Sequence, residues 1–193
     1  MSSWIQLEAL LTSVGLTESD LQLVLFPDFG QLAALQQGAV DAATGYANNE
    51  PVQLALSGVK ASVLALPPSS QLPGPGLIVS AAALHGPKKD ALRAFVAATA
   101  HAMRDIEADP VKGVDAAIAE VPELGADRAG QLAGLQATIA LWESDYTHAN
   151  GLGAVDPTLW ARSISFMASL PDKLLAKPVT AADCTSSALL TGP

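Results

Sequence analysis

Trp4, Ile5, Leu7, Leu10, Leu11 and Val14 recur at the three-to-four-residue spacing of a single helix face. That spacing predicts a first helix over 3–14, with Ser2 or Ser3 as N-cap and Gly15 as its stop. Thr17 to Asp20 reads as a turn, and the apolar run 21–26 as a strand. Asp28 is placed to cap a second helix over 31–37, which Gly38 ends. A central strand over 40–44, a short helix over 51–56 and a further strand over 60–66 complete an alternating order. Strands that alternate with short helices imply right-handed crossovers and a mainly parallel sheet.

Four prolines fall between Pro67 and Pro75 and mark a linker or hinge-like crossing, with a strand over 76–80 on its far side. Beyond it the pattern turns helical. Pro87 opens a long helix over 88–108 that carries Leu92, Phe95, Val96, Ala100 and Met103 on one face. Asp109-Pro110 restarts the chain as a helix over 111–120, and another spans 127–143. Asp156-Pro157 opens a helix over 158–169, and Thr180 caps a closing helix over 180–190. Three regions follow: an α/β lobe at 1–66, a hinge or crossover at 67–80, and a helix-rich part at 81–193.

The stretch from Gly38 to Pro51 holds the most chemistry. Its apolar first half reads as a buried strand, and Tyr46, Asn48, Asn49 and Glu50 crowd the loop just past the strand's end. In open α/β sheets the loops leaving the strands line the ligand crevice. Tyr46 offers a ring face for stacking on a planar ligand, and the amides and carboxylate offer donors and acceptors to match it. The same residues also suit a capping loop for the helix that Pro51 begins. Ser2, Ser3 and Trp4 form a second candidate, because a helix amino terminus presents free N–H groups to a polar ligand. The polar segment Tyr146, Thr147, His148 and Asn150 is a third.

Composition narrows the partners. Nineteen Asp and Glu against ten Lys and Arg leave a net charge of -9, without a basic cluster. Nucleic acid and anionic membrane surfaces, which require a positive footprint, are poor partners for such a chain. Cys184 alone excludes an internal disulfide, and His85, His101 and His148 lack the spacing of a helical metal site. No phosphate-binding glycine loop, nucleophile elbow or zinc motif is present, so neither catalysis nor a cofactor is expected. The start Met1-Ser2-Ser3-Trp4 lacks the basic region and cleavage site of a signal peptide.

The run Gly30-Gln31-Leu32-Ala33-Ala34-Leu35, continuing through Gly38-Ala39-Val40-Asp41-Ala42-Ala43-Thr44-Gly45-Tyr46-Ala47-Asn48-Asn49-Glu50-Pro51, resembles solute-binding proteins of bacterial ABC importers. The branch that includes binders of thiamine pyrimidine precursors and of riboflavin is the most similar. Ser2-Ser3-Trp4-Ile5 resembles the start of a helix in that family's second lobe. Arg93-Ala94-Phe95-Val96, Asp109-Pro110, Val121-Pro122-Glu123-Leu124 and the end from Cys184 to Leu190 are similar to its later helices.

The resemblance spans nearly all of this chain, and the chain about the last two thirds of the family. It implies a two-lobe α/β fold of the type II periplasmic-binding-protein kind, present in part and lacking the first strand of its lobe. It also implies a small heteroaromatic ligand in an interlobe cleft to which Tyr46, Asn49 and Glu50 contribute, with Ser2, Ser3 and Trp4 behind them. A membrane permease is the implied partner, and a periplasmic or membrane-associated extracellular location the implied setting. Two other readings stay open: a truncated remnant without independent function, and a pyrimidine-precursor synthase. The synthase relation comes with a cysteine-rich motif, and this chain has one cysteine.

Overall fold

The computed structural model describes residues 2–26, 30–66, 70–170 and 174–190. Ten α-helices follow one another among them: α1 Ser2–Ser13, α2 Gln31–Gln36, α3 Glu50–Leu56, α4 Ala81–His85, α5 Lys89–Ala108, α6 Pro110–Glu120, α7 Arg128–Trp142, α8 Asp145–Asn150, α9 Pro157–Ser169 and α10 Ala181–Cys184. Two 3-10 turns, Glu18–Asp20 and Pro122–Asp127, lie between them.

The helix ends follow from local chemistry. Asp109 accepts from the Lys112 N–H and Asp156 from the Thr158 N–H, each just ahead of a proline in the first turn. A side-chain oxygen at the N-cap satisfies a donor that the helix itself leaves free, and proline there gives up no hydrogen bond. Helices α2 and α3 end alike: Gly38 and Gly58 take φ of 68° and 71°, and the next residue's N–H reaches back to Ala34 and Leu54. A side chain at that backbone conformation would be strained, so both stops belong to glycine.

The expected α/β two-lobe fold is not what the chain adopts. Among the described residues there is no β-strand and no sheet. The segments expected as strands, 21–26, 40–44, 60–66 and 76–80, carry no regular secondary structure beyond isolated bends. Among the described residues, backbone hydrogen bonds outside the helices reach back no more than five positions. A strand has no hydrogen bonds of its own and exists only through a lateral partner, and apolar composition supplies none. Their side chains accordingly face solvent: Leu25 is 93% exposed, Leu64 74% and Ile78 98%.

Other expectations shift at their edges. The helix at Ala81–His85 and the 3-10 turn at Pro122–Asp127 were not expected. The polar segment after Trp142 is a helix, because Ser144 caps it and exchanges hydrogen bonds with Thr147. The closing helix stops at Cys184, where Thr185 turns extended. Asp28, expected to cap α2, lies outside the described residues, as do 67–69 of the proline-rich crossing.

Helices pack in series: α4 on α5, α5 on α6, α6 on α7, α7 on α3, and α3 on α2, with α9 against α10. Helix α7 is the shared member that joins the helix-rich part to the segment around Glu50. Arg128 at its start pairs with Asp115 of α6 at 2.7 Å. The buried apolar side chains, Ile5, Ala9, Leu11, Ala34, Leu54, Val114, Ile164 and Leu189, are small or aliphatic throughout. Ser163 of α9 is fully buried, and its hydroxyl lies 2.9 Å from the carbonyl oxygens of both Gln71 and Leu159. It fastens the start of the 70–80 segment to the helical part.

Candidate functional site

Residues 45–50 form a tight turn ahead of α3. The Asn49 N–H donates to the Tyr46 carbonyl at 2.9 Å, and the Gln53 N–H donates to the Asn49 carbonyl, which starts the helix. Glu50 is the first residue of α3, where the helix dipole favours a negative charge. It is 8% exposed. Its Oε2 accepts from the Tyr46 backbone N–H at 2.6 Å, and its Oε1 accepts from Gln31 Nε2 at 3.2 Å. A buried carboxylate is tolerable when its oxygens are hydrogen-bonded, and here each has a donor.

Asn48 holds the turn from the other side. Its Nδ2 donates to Thr138 Oγ1 of α7 at 2.9 Å, and Thr138 in turn donates to the Gly134 carbonyl at 2.8 Å. A Cβ added at Gly134 would sit 3.7 Å from the Asn48 carbonyl oxygen, so α7 and the turn lie in ordinary contact there. Gly134, Thr138 and Trp142 follow at four-residue spacing and share one face of α7. The half-buried Trp142 therefore stands one turn beyond the Asn48 anchor. The sequence carried that signal in the spacing of Trp142 from Thr138, but nothing local tied Thr138 to Asn48.

Of the four loop residues, two remain open to a ligand. Tyr46 is 58% exposed and Asn49 is exposed, whereas Asn48 and Glu50 spend their side-chain groups within the chain. The α1 candidates are positioned by their own helix. Ser2 opens α1, and Ser3 and Trp4 are half-buried on it. The Tyr146 to Asn150 set is absorbed into α8: Thr147 Oγ1 donates toward the Trp142 and Ser144 carbonyls, and Asn150 Nδ2 donates to the Tyr146 carbonyl.

Open grooves on the described surface include one along α9 at Thr158, Arg162 and Phe166, and another beside α3 at Leu54, Val59 and Lys60. Neither of these is lined by Tyr46 or Asn49. Among the described residues no group of His, Cys, Asp or Glu is gathered to hold a metal, and no helix is long and apolar enough to cross a membrane.

Residues 2–113 match the protein family described as NMT1/THI5 like. The riboflavin-binding protein RibY of Chloroflexus aurantiacus is 35% identical over 179 residues, which cover 92% of this chain and 50% of that protein. The chain thus spans half the length of that curated relative. No solved structure matches it.

Proposed function

This chain belongs to the NMT1/THI5-like family, and from that premise we propose that it is a solute-binding polypeptide for a flat heteroaromatic nutrient. Riboflavin or a thiamine pyrimidine precursor has the required chemistry: a planar ring for Tyr46 and polar ring atoms for the Asn49 amide. The observation that carries this reading is Tyr46 itself. A ring that is 58% exposed, on a turn fixed at both ends by side-chain hydrogen bonds, is a preorganised stacking surface. In this reading the chain binds and releases its ligand unchanged, outside the cytoplasmic membrane, and hands it to the permease of an ABC importer. The start of α1 at Ser2, Ser3 and Trp4 supplies a second contact.

Titration of riboflavin into the protein, followed by quenching of flavin fluorescence, tests the proposal, with the thiamine pyrimidine in a parallel arm. Saturable quenching is expected, and Tyr46→Ala should weaken it about tenfold, the order of magnitude of one aromatic stacking contact. Absence of saturable binding by either compound, or equal affinity in Tyr46→Ala, overturns it. Trp4→Ala tests the α1 contact in the same titration.

A further inference from the structure

Glu50 stands in the sequence among groups suited to touch a ligand, but its carboxylate is turned inward. We propose that Glu50 is a positioning residue, a latch that holds the 45–49 turn against α2 and α3 and so aims Tyr46 and Asn49 outward. The consequence for binding rests on the solute-binding reading above; the latch itself does not.

Three observations carry it. Both carboxylate oxygens are engaged, one by the Tyr46 backbone N–H at 2.6 Å and one by Gln31 Nε2 at 3.2 Å, and the residue is 8% exposed. At 8% exposure it offers a ligand little surface to reach. Secondly, the carboxylate lies flat over Gly45: a Cβ there would fall 2.7 Å from Oε2 and 2.8 Å from Cδ of Glu50. The end of a free glutamate would swing aside at little cost, but this one is held by two hydrogen bonds in a buried place. Gly45 is therefore required for the space it leaves. Thirdly, the far side of the same turn is tied independently through Asn48 to Thr138. A turn anchored at both ends, whose exposed residues Tyr46 and Asn49 carry side chains able to stack or hydrogen-bond, assigns contact to those two and geometry to Glu50.

The experiment compares wild type with Glu50→Gln, Glu50→Ala and Gly45→Ala by two readouts. Amide hydrogen exchange at Tyr46 reports the latch without any ligand, and riboflavin titration reports its effect on binding. Glutamine retains an oxygen to accept the Tyr46 N–H, and the Gln31 amide can turn to meet its NH₂. Glu50→Gln should therefore keep both Tyr46 protection and riboflavin affinity near wild type. Glu50→Ala and Gly45→Ala should each lose about tenfold or more in both, since a hydrogen bond to a charged group is worth that order.

Circular dichroism identifies any variant that fails to fold, and Gly45→Ala disturbs the latch while the carboxylate remains. Loss of riboflavin affinity in Glu50→Gln with Tyr46 protection intact would mean that the carboxylate touches ligand and would overturn the proposal. Unchanged Tyr46 exchange in Glu50→Ala and Gly45→Ala would overturn it as well. If wild type binds no riboflavin, the functional reading fails on that point while the exchange pattern still decides the latch.

Discussion

Asn48 Nδ2 and Thr138 Oγ1 lie 2.9 Å apart across 90 positions of sequence, and that hydrogen bond mounts the Tyr46 turn on helix α7. Thr138→Val keeps the shape, removes the acceptor and leaves a half-buried amide without its partner. It should destabilise the fold by about 1 kcal/mol, as for a typical intramolecular hydrogen bond. A double-mutant cycle with Asn48→Ala, read by urea unfolding, should return a coupling energy of similar size. Strict additivity of the two changes would show that the pair does not interact.

Ser163 is the fully buried polar side chain that joins α9 to the 70–80 segment. Ser163→Ala strips the Gln71 carbonyl of that donor and should cost about 1–2 kcal/mol in urea or thermal unfolding. Limited proteolysis should then cut sooner within 70–80. Ser163→Leu should cost more, because a larger side chain has to displace its packed neighbours. A variant as stable as wild type, with unchanged proteolysis, would disprove the tether.

Acid should loosen the caps. The Asp109 carboxyl titrates below its ordinary 3.8, first because the Lys112 backbone N–H bonds its charged form and next through the Lys112 side chain. Asp20 is lowered chiefly by the Thr17 backbone N–H, and Asp183 chiefly by the Thr180 hydroxyl. A folded-state pKa below the unfolded one means that the unfolded chain binds more protons, so stability rises with pH across that range. The contribution is complete above 3.8 and is lost as pH falls through the lower folded values. All three groups are exposed, so the effect is small and weakened by salt. Thermal melts of wild type and Asp109→Ala should differ at pH 6 and converge toward pH 2.5; a constant gap would contradict the assignment.

Leu25, Leu64 and Ile78 put apolar surface into water on segments without regular secondary structure. Such surface binds dyes and favours self-association. The protein should enhance the fluorescence of an anilinonaphthalene sulfonate dye and associate with rising concentration. Ile78→Lys should lower both without changing helical circular dichroism, since Ile78 is 98% exposed. A wild type that stays monomeric at high concentration and leaves the dye dark would refute this.

Helices were legible to the degree that they are local. The face of α1, the Asp-Pro starts of α6 and α9 and the glycine stops of α2 and α3 each depend on residues within about one turn of one another. Helix α8 carried a local signal too, the exchange between Ser144 and Thr147, but its polar make-up resembles a loop and hid it. The 21–26, 60–66 and 76–80 runs have the β-branched and aliphatic character of strands, yet a strand requires a partner that composition cannot provide. Similarity to the family speaks for the resemblance read in the sequence, whereas the sheet expected with it is absent among the described residues.

By itself the sequence determined which residues meet at the turn, because Tyr46, Asn48, Asn49 and Glu50 are contiguous and any tight turn brings them together. It also determined the helix ends around them, where cap and stop act over a few positions. Tertiary structure alone decided what each side chain does. Glu50 turns inward because Gln31, 19 positions away, supplies a donor in a buried place, and Asn48 is spent on Thr138, 90 positions away. Hydrogen-bonding groups take the partners that burial leaves them, and those partners come from elements far apart in the chain. What remains exposed, the Tyr46 ring and the Asn49 amide, is the remainder of that assignment.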